Sequence, residues 1–179
     1  MAILKVSNMG HPILRQPTQP ISLEQLQHEA FQQFIDDMID TMLDYEGIGL
    51  AAPQVFRTER CFIAGDPEAD KEDPDAIPLT VLINPEWLEM SEEKNDAWEG
   101  CLSIPNIRGV VSRSQQVTIK GMDRHGNTIE LAAAGLFARI LQHEFDHLDG
   151  ILFLDRMQNM HTLTFLEEHQ RYWTQTEET

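Results

Sequence analysis

Residues 142–150 read QHEFDHLDG and place His143 and His147 four positions apart. On a helix of about 3.6 residues per turn that spacing stacks both imidazoles on one face, one turn apart. Glu144 stands beside the first of them, where a carboxylate reaches a water activated by a metal ion. Two imidazoles are half of a tetrahedral site. The chain must therefore bury this helix and bring a third donor, oxyanion donors and a substrate groove to it from elsewhere. An amphipathic helix that merely carries two histidines is the plain alternative, and only the rest of the chain separates the two readings.

The elements around this helix are read from hydrophobic period and turn residues. Residues 1–21 carry short apolar pieces parted by Pro12, Pro17 and Pro20, an irregular arm over the core. Ser22 followed by Gln25 is a capping box. Apolar residues then recur at helical spacing through Leu43, which predicts one helix over 23–45 with its methionines and aromatics in the core. In 47–54, GIGLAAPQ, small residues at 47, 49, 51 and 52 allow close approach of a backbone or ligand. No further glycine pattern or Lys follows, which excludes a phosphate cradle. Strands are expected at 60–64, 80–84 and, after a turn at Pro85, 87–90. A hairpin is expected from 116–122 and 128–131. The histidine helix spans 136–148 and ends at Asp149-Gly150. A last helix covers 161–172 and leads to the acidic tail Glu177-Glu178-Thr179. The fold class is α+β, with antiparallel sheets packed around a central metal-binding helix. It is read as one domain over 1–179, with 161–179 a C-terminal helix and tail.

The third donor has one good candidate. Residues 99–103, EGCLS, put Cys101 between Gly100 and Pro105, which suggests an exposed turn off a strand end. A thiolate with His143 and His147 makes a Cys-His-His set with one open position. Cys61 lies in an apolar strand and reads as a small buried hydrophobe.

Together, 47–54, 99–103 and 142–150 resemble the three signature motifs of peptide deformylases, in the family's order and at compatible separations. The run from Gly10 to Arg15 extends the resemblance over nearly the whole chain. It implies a hydrolase that removes the formyl group from the N-terminal formyl-methionine of new polypeptides. Its single divalent ion is natively Fe2+ in many members, with Zn2+, Ni2+ or Co2+ as substitutes. By the same resemblance Glu144 moves the proton, and Gln54 and the Leu102 backbone N–H hold the oxyanion. Ile48, Gly49 and Gly100 border an extended peptide. Glu99, Leu136, Ile140 and His143 surround the methionine side chain, and Arg108 faces the peptide beyond it. Arg113 is expected to pair with Glu99, and Asp146 to orient a ligand or an Arg. Arg139 departs from better-known members, which place an apolar pocket residue there. Its stem is expected to line the pocket with the guanidinium in solvent.

Charge and cysteine usage set the context. A formal charge of -17 opposes direct nucleic-acid or anionic-membrane binding. Two cysteines, no run of about 18 apolar residues and no signal-like start point to the cytoplasm. Formyl-methionyl nascent peptides imply proximity to the ribosome. Docking through the tail is not expected, because Glu167, Glu168, Glu177 and Glu178 against Arg171 would meet RNA phosphates. Two other classes compete. One is a non-catalytic paralogue that binds peptides; such a protein is expected to lose Glu144, Gln54 or a ligand. The other is an endopeptidase, whose third ligand would be His161 or His169.

Overall fold

The computed structural model describes residues 2–174 except 71, 74 and 75. The tail residues Glu177 and Glu178 lie outside these. The capping box forms as expected: Ser22 Oγ accepts from Gln25 N at 3.2 Å and Gln25 Oε1 from Ser22 N at 2.9 Å. It starts α1 (Leu23–Gln27), but the helix expected over 23–45 is two helices. His28 adopts an extended conformation (φ −68°, ψ 132°), and its Nδ1 accepts from Ala30 N, capping a new helix, α2 (Glu29–Asp44). The local side-chain bond competes with continued helix, and hydrophobic spacing carries no record of it. As expected, α2 buries Phe31, Phe34, Ile35, Met38 and Met42.

Among the described residues, five antiparallel strands form the main sheet in the order β1-β2-β3-β6-β7. They are β1 (Gly49–Ala51), β2 (Cys61–Ala64), β3 (Thr80–Met90), β6 (Gln116–Met122) and β7 (Thr128–Ala134). Side chains alternate across a strand. Accordingly Cys61 and Ile63 join the core under α2, while Phe62 and Ala64 join the core around the histidine helix. This explains why all of β2 is apolar, and it confirms Cys61 as a core residue. The two pieces expected around Pro85 are one strand with register shifts between Ile83 and Glu86 and between Trp87 and Glu89. Asn84 (φ 50°) makes the irregularity, and its side-chain amide exchanges two hydrogen bonds with the Ile21 backbone.

A second sheet, in the order β4-β5-β8, consists of β4 (Lys94–Cys101), β5 (Ile104–Ser114) and β8 (Thr164–Phe165). The β4–β5 hairpin places Cys101 at the end of a strand and only 9% exposed, instead of on an exposed turn. Helix α3 (Gly135–Leu148) carries the histidines and buries residues on all sides after its first turn. One side packs on Phe62, Leu82 and Ile119, and the hairpin closes over another. Two short helices follow, α4 (Phe153–Arg156) and α5 (Leu166–Tyr172); the latter is shorter than the expected 161–172 because β8 precedes it. No helix among the described residues is long and apolar enough to cross a membrane.

Candidate active site

One face of α3 presents His143 and His147 with ring centroids 5.0 Å apart. The β4–β5 turn brings Cys101 to them, its Sγ 3.3 Å from His147 Nε2. The three donor atoms lie within 4.8 Å of one another, the single such group among the described residues. Tetrahedral coordination with one sulfur and two nitrogens has donor–donor edges of about 3.3–3.6 Å, so the set fits one divalent ion with small adjustment. Burial, with His143 and Arg113 nearby, pushes His147 well below the ordinary imidazole range, which favours the neutral form that a metal ion would need. His169 is turned to Trp98 at 4.5 Å, and neither it nor His161 joins the donor group.

Around the donors, each neighbour has a structural reason for its place. Glu144 is 4% exposed and its Oε2 has no hydrogen-bond partner. Burial pushes its carboxyl up to about 7. A Cβ on Gly49 would collide with Glu144 Oε1, so the glycine makes room for the carboxylate. Gln54 is buried on a 3-10 turn after β1. Its Oε1 accepts from Ala51 N at 2.8 Å, and its Nε2 points to Ser103 Oγ (3.3 Å) and Cys101 Sγ (3.5 Å). The Arg108 guanidinium lies over Gly100, where a side chain would displace it.

Behind the donors lies a buried ionic cluster. Arg113 donates to both oxygens of Glu99 (2.9 and 3.0 Å) and to Asp146 (2.5 Å), as expected. Glu99 also meets His143 Nδ1 at 2.9 Å. Burial alone would raise the Glu99 carboxyl, but hydrogen bonds from His143 and Arg113 outweigh it and hold the group well below the carboxylate range. Arg139 corrects the sequence expectation. Its guanidinium does not reach solvent; the residue is 7% exposed, and it bonds Glu99, Val111 and Asn95. Burial of Glu99 beside it supplies the physical reason, because the carboxylate gives the cation a partner inside the fold.

A cleft of about 780 Å³ opens in front of this group. The residues expected to bind substrate or carry the reaction all line it, whereas His147, Arg113 and Asp146 do not and are buried. Gly49 at the start of β1 and Ile48 just before it border the cleft on one side, Glu99 and Gly100 of β4 on the other, and both strands are the outermost of their sheets. Leu136, Arg139 and Ile140 face it from α3. Sequence reasoning missed Tyr45, Trp98 and Leu166, which line the same cleft. Tyr45 and Trp98 stand next to the motifs at 47–54 and 99–103, a signal that adjacency offered, whereas only the chain's long-range path brings Leu166 there.

A cysteine and two helix-borne imidazoles that fit one metal ion, with a buried carboxylate beside them at the edge of an open cleft, form the kind of arrangement a metal-dependent hydrolase uses. Residues 3–162 match the family model described as polypeptide deformylase. A peptide deformylase of Salinibacter ruber is 47% identical over 158 residues, covering 86% of this chain and 80% of the relative. Peptide deformylase 2 of a Nostoc species is 40% identical and covers 96% of both. A class I type b peptide deformylase from Acinetobacter baumannii, solved with Met-Ala-Ser bound, superposes with a TM-score of 0.80 at 40% identity. That match covers 87% of this chain and 99% of the other. The chain belongs to the polypeptide deformylase family. It is an enzyme that removes the formyl group from newly made polypeptides.

Proposed function

We propose that Cys101, His143 and His147 hold the ion, Fe2+ natively with Zn2+, Ni2+ or Co2+ able to replace it, and that Glu144, Gln54 and Leu102 carry the reaction. The convergence of the three donor atoms with Glu144, Gln54 and Leu102 at one cleft, His147 lying buried beside it, carries the reading. When bound, the ion supplies Lewis acidity, polarising the formyl carbonyl and lowering the pKa of water from 15.7 toward about 7. Glu144 takes the proton of the attacking water and passes it to the departing amine; a carboxyl near neutrality suits both halves of that task. The Gln54 amide and the Leu102 N–H donate to the formyl oxygen as charge builds on it. A formamide is an unreactive acyl group, so all three contributions are needed.

The peptide lies extended between the outer strands β1 and β4, in the manner of strand addition, with Ile48, Gly49 and Gly100 along its backbone. Its methionine side chain enters the space bounded by Glu99, Leu136, Arg139, Ile140 and His143, and Arg108 faces the residues beyond. The Met-Ala-Ser bound to the Acinetobacter relative supports a methionine-first peptide as occupant. The chain works as one catalytic domain in the cytoplasm, meeting nascent chains near the ribosome without docking through its acidic C-terminal segment.

Formate release from formyl-Met peptides, paired with metal analysis of anaerobically prepared protein, tests this reading. Incubation with a strong chelator is expected to abolish release, and one equivalent of Fe2+, Ni2+ or Co2+ to restore it; activity untouched by chelation that removes all metal would remove the ion from the reaction. Gln54→Ala is expected to lower kcat by about 10²–10³, the usual cost of one oxyanion donor, with metal content unchanged. A loss below about threefold in a steady-state assay would rule out that role.

A further inference from the structure

Arg139 lines the cleft and stands one turn before His143 on α3, yet the reaction assigns it no task. Its guanidinium makes four hydrogen bonds. Nη1 donates to Glu99 Oε1 (2.7 Å) and Val111 O (2.8 Å), and Nη2 to Asn95 O (2.6 Å) and Asn95 Oδ1 (3.0 Å). These reach three places: the inner end of β4, its outer end, and β5. The planar fork of an arginine is the one side chain able to hold several such acceptors at once.

The Glu99 carboxylate is where these bonds meet the ligand set. Its Oε1 takes Arg139 and Arg113, and its Oε2 takes Arg113 and His143 Nδ1. Each oxygen is therefore held from two directions. Removing Arg139 leaves Oε1 held on one side only and releases β4 at Asn95 from α3. Arg113 still grips both oxygens, but the carboxylate loses its Arg139 tie to α3 and can shift with β4, and the imidazole bonded to it shifts as well.

We propose that Arg139 is a positioning residue. By clamping Glu99 and the β4 rim to α3, it fixes the orientation of His143 and so sets how firmly Cys101, His143 and His147 hold their ion. The inference rests on the metal-site reading above. Outer-shell partners of metal-ligating histidines typically change metal affinity by about 10–100-fold. Arg139 would exert that influence at one remove, through the carboxylate.

Release of Co2+ to an excess of chelator, followed through the visible bands of the Co2+-loaded protein, measures this without reference to turnover. Arg139→Met keeps much of the stem and removes every donor. It is expected to release the ion about 10-fold faster or more and to shift the bands. Arg139→Lys keeps the charge with poorer geometry and is expected to fall between the two, so it decides the question if the methionine variant does not fold. Ile35→Ala, in the core under α2, is the control for lost stability alone and is expected to release at the wild-type rate. In a Glu99→Gln background, adding Arg139→Met is expected to change release by less than about twofold, because its route is already broken. Wild-type-like release by both Arg139 variants overturns the inference, as does an undiminished effect in the Glu99→Gln background. A wild-type protein that takes up no Co2+ overturns the metal-site reading itself, and this inference with it.

Discussion

Glu144→Gln is expected to lower kcat/KM for formate release by about 10²–10⁴, the usual contribution of a positioned general acid–base, while metal content stays at one ion per chain. The amide nearly matches the carboxylate in shape, so the space left by Gly49 remains filled. It cannot take a proton from water or give one to the amine. Stability is expected to move the other way. The native carboxylate is 4% exposed, one oxygen has no partner, and burial disfavours its charge. Replacing it by a neutral group removes that cost, so the metal-free variant should melt no lower than the metal-free wild type. Single-turnover kinetics and calorimetry on the same preparations separate the two effects. A variant retaining more than a tenth of wild-type turnover would exclude Glu144 as the proton carrier.

Arg113→Met is expected to be the most destabilising single change in the buried ionic cluster, costing about 3–5 kcal/mol, the usual result of breaking a buried ion pair by removing one partner. Arg113 is 5% exposed and neutralises two buried carboxylates, Glu99 and Asp146. Methionine fills part of the volume but leaves both anions short of a donor. For a domain of this size the loss corresponds to a fall in Tm on the order of 10 °C. Arg156 provides the comparison. It also pairs with Asp146, but its side chain is 46% exposed, so solvent replaces what it contributes. Arg156→Met should cost about 1 kcal/mol or less. Urea denaturation of both variants checks the contrast; similar losses would mean that burial of the cluster does not govern its energetics.

Much of the site was legible because chemistry leaves short, periodic traces. Four-residue spacing of two histidines needs a helix, and the helix is there, within one residue of its expected start. Ser22 and Gln25 announced a cap that forms as read. Glycine and proline around Cys101 marked it as the third donor, the family resemblance added Gln54 and Glu99, and the cleft contains them all. The failures have a common cause in side chains that override local pattern. A histidine cap at His28 split a helix whose hydrophobic period runs on without a break. Asn84 bonded to Ile21, 63 positions away, and turned an expected interruption into a strand irregularity. The β4–β5 hairpin was not read as an element at all, since its residues do not alternate cleanly between apolar and polar.

Arg139 shows where the division falls. By itself the sequence determined that a cation stands one turn before His143, and with it the donor types, their spacing on α3 and the reaction they imply. Whether that cation reaches water or a carboxylate depends on Glu99, Asn95 and Val111, which are 28–44 positions away. The tertiary structure brings them within 3 Å of the guanidinium, and a charge with such partners is stable where an unpaired one would have to seek solvent. The same holds for Cys101, whose sulfur comes within 3.3 Å of His147 only because a hairpin closes over α3. Local spacing fixes which groups are on offer; long-range packing fixes their partners, because the cost of burying a polar group is settled by what the rest of the fold places beside it.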